Sequence, residues 1–403
     1  MALPTTWPAS EPPCEWIDAD TGHRVRRLTN EPGSGGLYFN FDAYTPDSKA
    51  MAYSSPDGIR LLQLNTLESK LIAPGKVRFV GMGRKSRSMY YIDVTANAVF
   101  VVNVDTLERR KVVDIPRRSN IVTINADDTL LAGTYIEGDA GDDYGAKKVM
   151  PQGLVGPNVQ PMNKAQMMED RFNARLPLVL FTVNVATGEI KTVMHSNDWV
   201  NHLLFSPSDP GLLMYCHEGP WHKVDRIWHV RVDGGKPEPK KLHTRTMAME
   251  IWGHEFWNHD GSKVWYDLQL PKGEDFFLAS YDMKTQERVW YHLLRDEWSI
   301  HFNVTRDGSL LCGDGGDTGQ VARAKDGKWI YLFHPERIEV KGTNEPGFIQ
   351  PGVLKSERLV NMANHHYKME PNVRFSPDGK QVFFTADILG PSYLFAVDVE
   401  KVK

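Results

Sequence analysis

The stretch Phe375-Ser376-Pro377-Asp378-Gly379, followed closely by Val382-Phe383-Phe384-Thr385, decides the fold of this chain. Pro-Asp and Asp-Gly pairs favour tight turns, and an apolar run rich in β-branched and aromatic residues predicts a strand. The same order of turn and strand recurs along the sequence. The related turns are Thr45-Pro46-Asp47, Asn125-Ala126-Asp127-Asp128, Phe205-Ser206-Pro207, Asn258-His259-Asp260-Gly261 and Thr305-Arg306-Asp307-Gly308.

A second repeated feature is an alternating strand that ends in a polar turn. Seven such segments are present, at residues 61–66, 101–106, 181–188, 228–234, 278–282, 329–333 and 394–399. A repeat of about forty to fifty residues built only from strands and turns is typical of propeller blades, each of which is a four-stranded sheet. The sequence therefore predicts an all-β fold, a seven-bladed β-propeller that forms a single domain over residues 1–403.

Two stacked β-sandwich domains are the competing interpretation of the same strands. No Pro- or Gly-rich linker or change of composition marks a boundary midway, which favours the propeller. We expect the strand at residues 23–28 to pair with the strand at 393–399, because such pairing removes exposed sheet edges.

Composition restricts the class of protein and its partners. A formal net charge of −4 argues against a nucleic-acid binder, which needs a concentrated basic surface. The start of the chain lacks the pattern of a signal peptide, and no apolar run reaches the roughly 18 residues of a membrane span. Three widely spaced cysteines are typical of free thiols in a reducing compartment. We therefore expect a cytoplasmic protein with no nucleic-acid or membrane partner.

One segment, residues 137–176, interrupts the repeat and is predicted to be an inserted loop and helix. Met167, Met168 and Phe172 have helix-face spacing within residues 163–173. Long excursions from a compact fold tend to be functional loops or packed decorations. Arg171 and Arg175 are the candidate anion contacts of this segment.

The densest group of chemically capable residues lies between Ser206 and Trp257. His217 and Glu218 flank a Gly-Pro turn, Arg226 follows Asp225, and the segment ends in Gly253-His254-Glu255-Phe256-Trp257. A neutral imidazole can remove a proton next to a carboxylate while an arginine or a metal holds the acid group. The alternative interpretation is that these are rim residues of a β-protein without chemistry. His202, at a similar strand edge, is a further candidate.

The motifs resemble those of the oligogalacturonate lyases of bacterial pectin breakdown, which are seven-bladed propellers, and the resemblance covers most of the chain. Its most specific parts are CHEGP at residues 216–220, residues 225–228, HEFW at residues 254–257 and the segment 301–309. The resemblance implies that His254 is the base, that Arg226 assists it, and that His301 binds manganese.

The remaining metal ligands of that family do not carry over unchanged. A Gln and two His precede a Phe-x-Pro turn in the family, whereas this chain has Tyr367, Glu370 and Asn372 at those positions. Glu370 and Asn372 can donate oxygen to a hard divalent ion, and His365 or His366 is a possible substitute. The resemblance thus implies a divalent metal, manganese first, bound by His301 with Glu370, Asn372 and His366.

The resulting expectation is a lyase that cleaves short uronate oligosaccharides, oligogalacturonides first, by metal-assisted β-elimination to an unsaturated uronate. His254 and Arg226 are the expected catalytic residues, with substrate contacts from His217, Glu218, His202 and Arg171. Three alternatives remain open: a lyase for another uronate-containing glycan, a non-catalytic propeller that binds other proteins, and a hydrolase. A hydrolase would need two carboxylates across the scissile bond, from Glu218, Glu255, Asp267 and Glu370.

Overall fold

The computed structural model describes residues 14–138, 164–320, 325–341 and 347–402. Strands dominate these residues, and they contain a single α-helix. Contacts divide the chain into two compact units, one made of Met1–Val77 and His254–Lys403 and the other of Arg78–Gly253. The expectation of an all-β fold is confirmed, while the assignment of residues 1–403 to a single domain stays a prediction.

The first unit contains four antiparallel groups of strands, except that residues 251–253 of β18 belong to the second unit. The groups are β3–β5, β18–β21, β22–β25 and β26–β28, and β1 and β2 belong to the sheet of the last group. Their bounds are β1 Glu15–Ile17, β2 His23–Arg27, β3 Ala50–Ser55, β4 Gly58–Gln63, β5 Ser69–Pro74, β18 Ile251–Trp257, β19 Lys263–Gln269, β20 Phe276–Asp282, β21 Arg288–Leu293, β22 Phe302–Val304, β23 Leu311–Gly313, β24 Trp329–Arg337, β25 Gln350–Asn361, β26 Arg374–Phe375, β27 Gln381–Ala386 and β28 Tyr393–Lys401.

The second unit contains three antiparallel sheets of four strands each. They are β6 Val77–Met82, β7 Ser88–Asp93, β8 Ala98–Asn103 and β9 Arg109–Asp114; β10 Ser119–Ile124, β11 Leu130–Ile136, β12 Leu178–Asn184 and β13 Ile190–Ser196; and β14 Trp199–Phe205, β15 Leu212–Glu218, β16 Ile227–Arg231 and β17 Lys240–Lys241. The helix α1, Lys164–Ala174, lies between β11 and β12.

Each of the seven groups contains one of the seven alternating strands predicted from the sequence. These are β4, β8, β12, β16, β20, β24 and β28. In five of the groups it is the third strand in chain order, and in the last group β28 is the third strand of β26–β28. In the β3–β5 group, an irregular segment before β3 adds the bridges Gly35↔Ser54 and Tyr44↔Met51, so β4 is again third.

The turns between strands one and two form as their residue types predict. In the turn after β22, Thr305 Oγ1 donates to Asp307 Oδ1 at 2.6 Å and Ser309 N donates to the same oxygen at 3.0 Å. Gly308 takes φ +74°, a left-handed conformation that costs glycine little. Side chains of this kind satisfy turn backbone and fix the length of each hairpin.

The first and last strands of the chain pair as expected. β2 is antiparallel to β28, with Val25 opposite Val397 and Arg27 opposite Phe395. β1 then pairs with β2, so both N-terminal strands belong to the sheet of β26–β28. This pairing covers the edge of β28 that would otherwise be exposed.

One pairing was not expected from the sequence. β21 and β25 run parallel, with Tyr291 opposite Gly352, and join two four-stranded meanders into one sheet of eight strands. Gly352 allows this close approach, because a Cβ at that position would lie only 2.5 Å from Cδ1 of Tyr291.

The predicted insertion is described in part. Helix α1 covers Lys164–Ala174, against a prediction of residues 163–173, and residues 139–163 lie outside the described ranges. Phe172 packs against Gly219, and Glu169 pairs with Lys223 at 2.7 Å. No helix in the described residues is long and apolar enough to span a membrane.

Candidate functional site

Two histidines of the first unit, His254 and His301, are in direct contact. Their ring centroids are 4.9 Å apart in an edge-to-face arrangement. Phe39 stacks on His301 at 4.5 Å and meets His254 edge-on at 6.3 Å. The structure thus brings together two of the residues for which the sequence predicted chemistry.

His254 lies in the middle of β18 with φ +47°, an uncommon conformation for a residue with a side chain. Its Nδ1 is 3.4 Å from Oδ1 of Asp267, a buried carboxylate on the neighbouring strand β19. A carboxylate beside Nδ1 favours the tautomer with the proton on that nitrogen, which leaves the lone pair of Nε2 as a base.

His301 is held by a second buried carboxylate. Its Nδ1 is 2.8 Å from Oδ2 of Asp314, and Oδ1 of Asp314 accepts from the backbone of Ile300 and His301 at 3.0 and 2.8 Å. Nε2 of His301 is buried without a hydrogen-bond partner among the described residues, and Oε2 of Glu370 lies 3.7 Å away. An oriented imidazole lone pair next to a carboxylate is a donor pair that suits a divalent metal.

Other predicted metal ligands have different partners. Asn372 accepts from Phe39 N at 3.0 Å through Oδ1 and donates to Glu370 O at 2.8 Å through Nδ2. The side chain of His366 is 82 % exposed and its Nδ1 lies 2.8 Å from Asp387. Within the described ranges, no three His, Cys, Asp or Glu side chains are placed to hold one ion. His366 therefore does not complete a cluster with His301 and Glu370.

Tyr367 also stands where the related family has a metal ligand. It is buried, and its hydroxyl donates to the carbonyl of Asp314 at 2.9 Å. Burial, assisted by nearby Asp314, raises the pKa of Tyr367 well above its ordinary value. A neutral phenol that donates to a backbone carbonyl supports the His301 site but does not ligate an ion.

The second unit holds a buried cluster around Glu218, at the end of β15. Oε1 of Glu218 accepts from Arg226 Nη1 at 2.7 Å, and Oε2 lies 3.0 Å from Nε2 of His202. The Arg226 guanidinium stacks on Trp221 at 4.3 Å from the ring centroid. Burial opposes ionisation of Glu218, but Arg226 and the His202 hydrogen bond outweigh it and hold the pKa of Glu218 well below its usual range.

The side chains of this cluster differ in how much of their surface is exposed to solvent. The side chains of Arg226 and Glu218 are 2 % and 8 % exposed, whereas that of His202 is 34 % exposed. His202 lies in an irregular part of β14 between Asn201 and Leu204, with φ +47°. Bulged residues of this kind are common next to active sites because they redirect a side chain.

The remaining predicted substrate contacts lie around this cluster. His217 precedes Glu218 in β15, so the two side chains point to opposite faces of the strand. His217 stacks on Trp228 at 4.9 Å, and burial lowers the pKa of His217. Arg171 of α1 lies over Trp199 at 5.4 Å, and Arg175 pairs with Asp198 at 2.5 Å.

The partners of the histidines were missed by the sequence reasoning. Asp314 was not identified, and Asp267 was considered only as one of a pair of carboxylates for hydrolysis. A signal was available: His202, His254 and His301 each lie four residues before the turn residue of their hairpin, Ser206, Asn258 or Thr305. Each finds its acid on the following strand or just beyond it.

The chain is similar to known proteins along almost its whole length. A family model described as oligogalacturonate lyase matches residues 14–402. An oligogalacturonide lyase of Pectobacterium atrosepticum is 27 % identical over 401 residues, covering 95 % of each chain. An oligogalacturonate lyase of Dickeya dadantii is 26 % identical with the same coverage.

Solved structures show the same fold. An oligogalacturonate lyase in complex with manganese superposes with a TM-score of 0.75 at 24 % identity, over 96 % of both chains. An oligogalacturonate lyase of Vibrio parahaemolyticus gives a TM-score of 0.74 at 22 % identity, again over 96 % of both. The predicted fold class, an all-β seven-bladed propeller, is thereby confirmed. Because the family model spans nearly every residue that carries the seven sheets and both histidine–carboxylate pairs of the first unit, the chain belongs to the oligogalacturonate lyase family.

Proposed function

We propose that this protein is a lyase that cleaves short uronate oligosaccharides, oligogalacturonides first, by β-elimination to an unsaturated uronate. The observation that carries the proposal is the contact between the His254–Asp267 and His301–Asp314 pairs. One pair suits a base, and the other presents a buried nitrogen donor. Elimination next to a carboxylate needs both a base and positive charge.

The proton to be removed is on C5 of the uronate ring. Its removal is possible because the neighbouring carboxylate takes up charge as an enediolate, which is costly unless neutralised. Nε2 of His254 is the proposed base, with Asp267 fixing the tautomer and stabilising the imidazolium that forms. The bond from C4 to the glycosidic oxygen then breaks, and a double bond forms between C4 and C5.

A divalent metal, manganese first, is the proposed source of positive charge on the His301 side. The support is the orphaned Nε2 of His301, its orientation by Asp314, and the nearby Glu370 carboxylate. A solved oligogalacturonate lyase contains manganese. His301 and Glu370 would hold the ion, which when bound would act as a Lewis acid toward the uronate carboxylate.

Arg226 is proposed to assist through charge. Its guanidinium is bound to Glu218 and covered by Trp221, so it is fixed and mostly shielded from solvent. Glu218 directs both oxygens to protein partners, which supports a positioning role in place of the substrate contact expected from the sequence. His217, His202 and Arg171 remain proposed substrate contacts.

The decisive assay uses the near-ultraviolet absorbance of the unsaturated uronate product. We expect absorbance to grow with oligogalacturonide and wild-type protein, and to be lost with His254→Ala. His195→Ala is the matched control, because the side chain of His195 is 64 % exposed. Equal rates for wild type and His254→Ala would refute the assignment of the base.

Substrate class is tested with the same absorbance. A panel of uronate oligomers, including glucuronate-capped and rhamnogalacturonan fragments, separates oligogalacturonide cleavage from cleavage of another uronate glycan. A panel without any absorbance change would contradict the lyase proposal and favour a binding role. Family membership and the His254–His301 contact support the enzyme.

A cytoplasmic location is also proposed. Its support is that Cys14, Cys216 and Cys312 are free thiols, a pattern typical of reducing compartments. Cell fractionation with antibody against the native protein tests it, and recovery from the periplasmic fraction would contradict it.

A further inference from the structure

A histidine that binds a metal must direct the lone pair of one ring nitrogen at the ion, and that lone pair lies in the plane of the ring. In His301 the contact between Nδ1 and Asp314 fixes the opposite nitrogen, at 2.8 Å. One hydrogen bond fixes an atom, whereas the plane of a ring is fixed by the side chains that pack on it. The direction of the Nε2 lone pair therefore depends on the packing around His301.

Aromatic side chains pack on His301 from several directions. Phe39 stacks on its face, with ring centroids 4.5 Å apart and planes inclined by 27°. Tyr38 and His254 meet it nearly at right angles, at 5.2 and 4.9 Å. A stacked ring opposes tilting of its neighbour, because tilting drives atoms of one ring into the face of the other. Phe39 thus sets the plane of the His301 imidazole.

The backbone around Phe39 is anchored by the residues in and just before β26. Asn372 Oδ1 accepts from Phe39 N at 3.0 Å. The buried guanidinium of Arg374 donates to Tyr38 O at 3.0 Å and to Phe41 O at 3.1 Å. Phe39 lies outside the strands of the described chain, so side chains supply the hydrogen bonds that a strand partner would otherwise supply.

Asn372 joins this aromatic segment to the rest of the His301 site. Its Nδ2 donates to Glu370 O at 2.8 Å, and its backbone N donates to Asp314 Oδ2 at 3.3 Å. The same Asp314 oxygen lies next to His301 Nδ1. One asparagine therefore contacts the residue that stacks on the imidazole, the carboxylate that orients it, and the backbone of the residue that brings Glu370 close to Nε2.

The amide of Asn372 has one orientation that satisfies both of its partners. Exchanging its oxygen and nitrogen would place a donor against Phe39 N and an acceptor against Glu370 O. Its backbone has φ +55°, a conformation that asparagine adopts more readily than most residues. The residue type thus fits both the backbone and the two hydrogen bonds.

We propose that Phe39 and Asn372 are positioning residues of the manganese site. Phe39 sets the ring plane of His301, and Asn372 fixes Phe39 against that ring. The inference rests on the metal site of the proposed function, and it gives Asn372 a role other than that of the ligand expected from the sequence. All of these residues belong to the first unit.

The first test measures the binding of manganese to metal-free protein by calorimetry, so it does not depend on turnover. Phe39→Leu removes the stacked ring and keeps an apolar side chain. Phe384→Leu is the matched control, because Phe384 is also buried and stacks on Phe395 at 5.6 Å. Outer partners of a ligating histidine contribute about 10- to 100-fold to metal affinity, so Phe39→Leu should raise the Kd about tenfold or more. Phe384→Leu should leave the Kd close to that of wild type.

A second variant, Asn372→Asp, separates a positioning role from a ligand role. Aspartate tolerates positive φ and can accept from Phe39 N, but it has no donor for Glu370 O. If Asn372 were a ligand, the added charge would tighten manganese binding, since affinity for hard cations rises with the charge of the ligands. Its proposed role predicts weaker binding, by about tenfold or more.

The outcomes separate this inference from the lyase function. Unchanged affinity in a folded Phe39→Leu protein would overturn the role of Phe39, and binding by Asn372→Asp as tight as wild type would overturn that of Asn372. Wild-type protein that binds no manganese would overturn both roles together with the metal site. Wild-type protein that binds manganese but forms no unsaturated uronate would refute the lyase function alone. Melting temperatures of the metal-free variants verify that each is folded.

Discussion

Asp267 is a single buried carboxylate that determines the proposed chemical role of His254. It is buried on β19, and its Oδ1 has no hydrogen-bond partner in the described part of the chain, although it lies 3.4 Å from His254. A carboxylate left this close to an imidazole is poised to stabilise the charge that appears when the base is protonated. Asp267 therefore stabilises the protonated His254 that forms on proton transfer more than it stabilises the neutral imidazole.

Replacing Asp267 with Asn should lower kcat far more than it changes KM. Removing an outer partner of a functional histidine commonly costs about 10- to 100-fold. Steady-state kinetics on oligogalacturonide measure the change, with Asp275→Asn as control because the side chain of Asp275 is 63 % exposed. A change confined to KM would show that Asp267 acts in substrate binding.

Glu370 should determine whether the chain binds manganese. Ligand that binds only the folded state raises its unfolding temperature, so manganese is expected to raise the melting temperature of metal-free wild-type protein. Glu370→Gln should reduce this shift, because it removes the carboxylate next to Nε2 of His301. Glu336→Gln is an exposed control. Equal shifts in the two variants would contradict the assignment of Glu370 as a ligand.

Glu218 should make the free energy of unfolding decrease as the pH falls below about 4.5. Its pKa is lowered in the folded state, so its contribution is complete above the unfolded pKa near 4.5 and is lost as pH falls toward the lower folded value. Breaking such a buried pair typically costs about 3–5 kcal/mol. The difference in unfolding free energy between wild type and Glu218→Gln, measured with urea, should thus be largest at pH 7 and smaller at pH 3. A gap that widens in acid would contradict this sign.

At the level of the strand, packing around β18 explains why Gly253 precedes the proposed base His254. A Cβ at Gly253 would lie 2.7 Å from Cη2 of Trp221 and 3.2 Å from Nε of Arg226. The space that glycine leaves is thus filled by the stacked indole and guanidinium. Gly253 and the cation–π pair are consequently packed closely against one another within the second unit.

Gly253→Ala should displace Trp221 from Arg226 and lower activity, with a loss of stability of about 1–3 kcal/mol from overpacking. Activity and urea unfolding are measured together. Gly234→Ala is the control, since a Cβ there meets nothing within 4 Å. Full activity in Gly253→Ala would show that the stack does not support the reaction.

The secondary-structure elements could be predicted from the sequence, but the contacts between them could not. Turn residues such as Asp378-Gly379 and alternating runs specify strands locally, which is why all seven alternating strands were located. The pairing of His301 with Asp314 depends on hairpin register, and that of β21 with β25 on a contact between segments some sixty residues apart. His254 and Arg226 were predicted as catalytic residues from family motifs, whereas the burial of Arg226 against Glu218 and Trp221 is visible only in the structure.

At the scale of the whole molecule, the pairing of β2 with β28 ties the beginning of the chain to its end. Val25 is fully buried in this pairing, opposite Val397. A charge placed there must be buried without a partner or must separate the strands, and either is costly. The stability of the first unit therefore depends on residues more than 370 positions apart.

Val25→Asp should unfold at a markedly lower temperature and associate through the uncovered edge of β28. Calorimetry and size-exclusion chromatography measure the two effects. Arg24→Ala, at a side chain that is 39 % exposed, is the control. A monomeric Val25→Asp protein with the wild-type melting temperature would show that this pairing contributes little.

The same pairing has a consequence for synthesis. A ribosome delivers the second unit, Arg78–Gly253, as one uninterrupted segment, but it delivers the first unit in two portions with that segment between them. β2 leaves the ribosome near the start of translation and waits for β28, which emerges last. At about 5–20 residues per second, that interval lasts on the order of twenty seconds to more than a minute, during which β2 is without its partner strand. The start of the chain is therefore the part of the first unit that waits longest for its native partner.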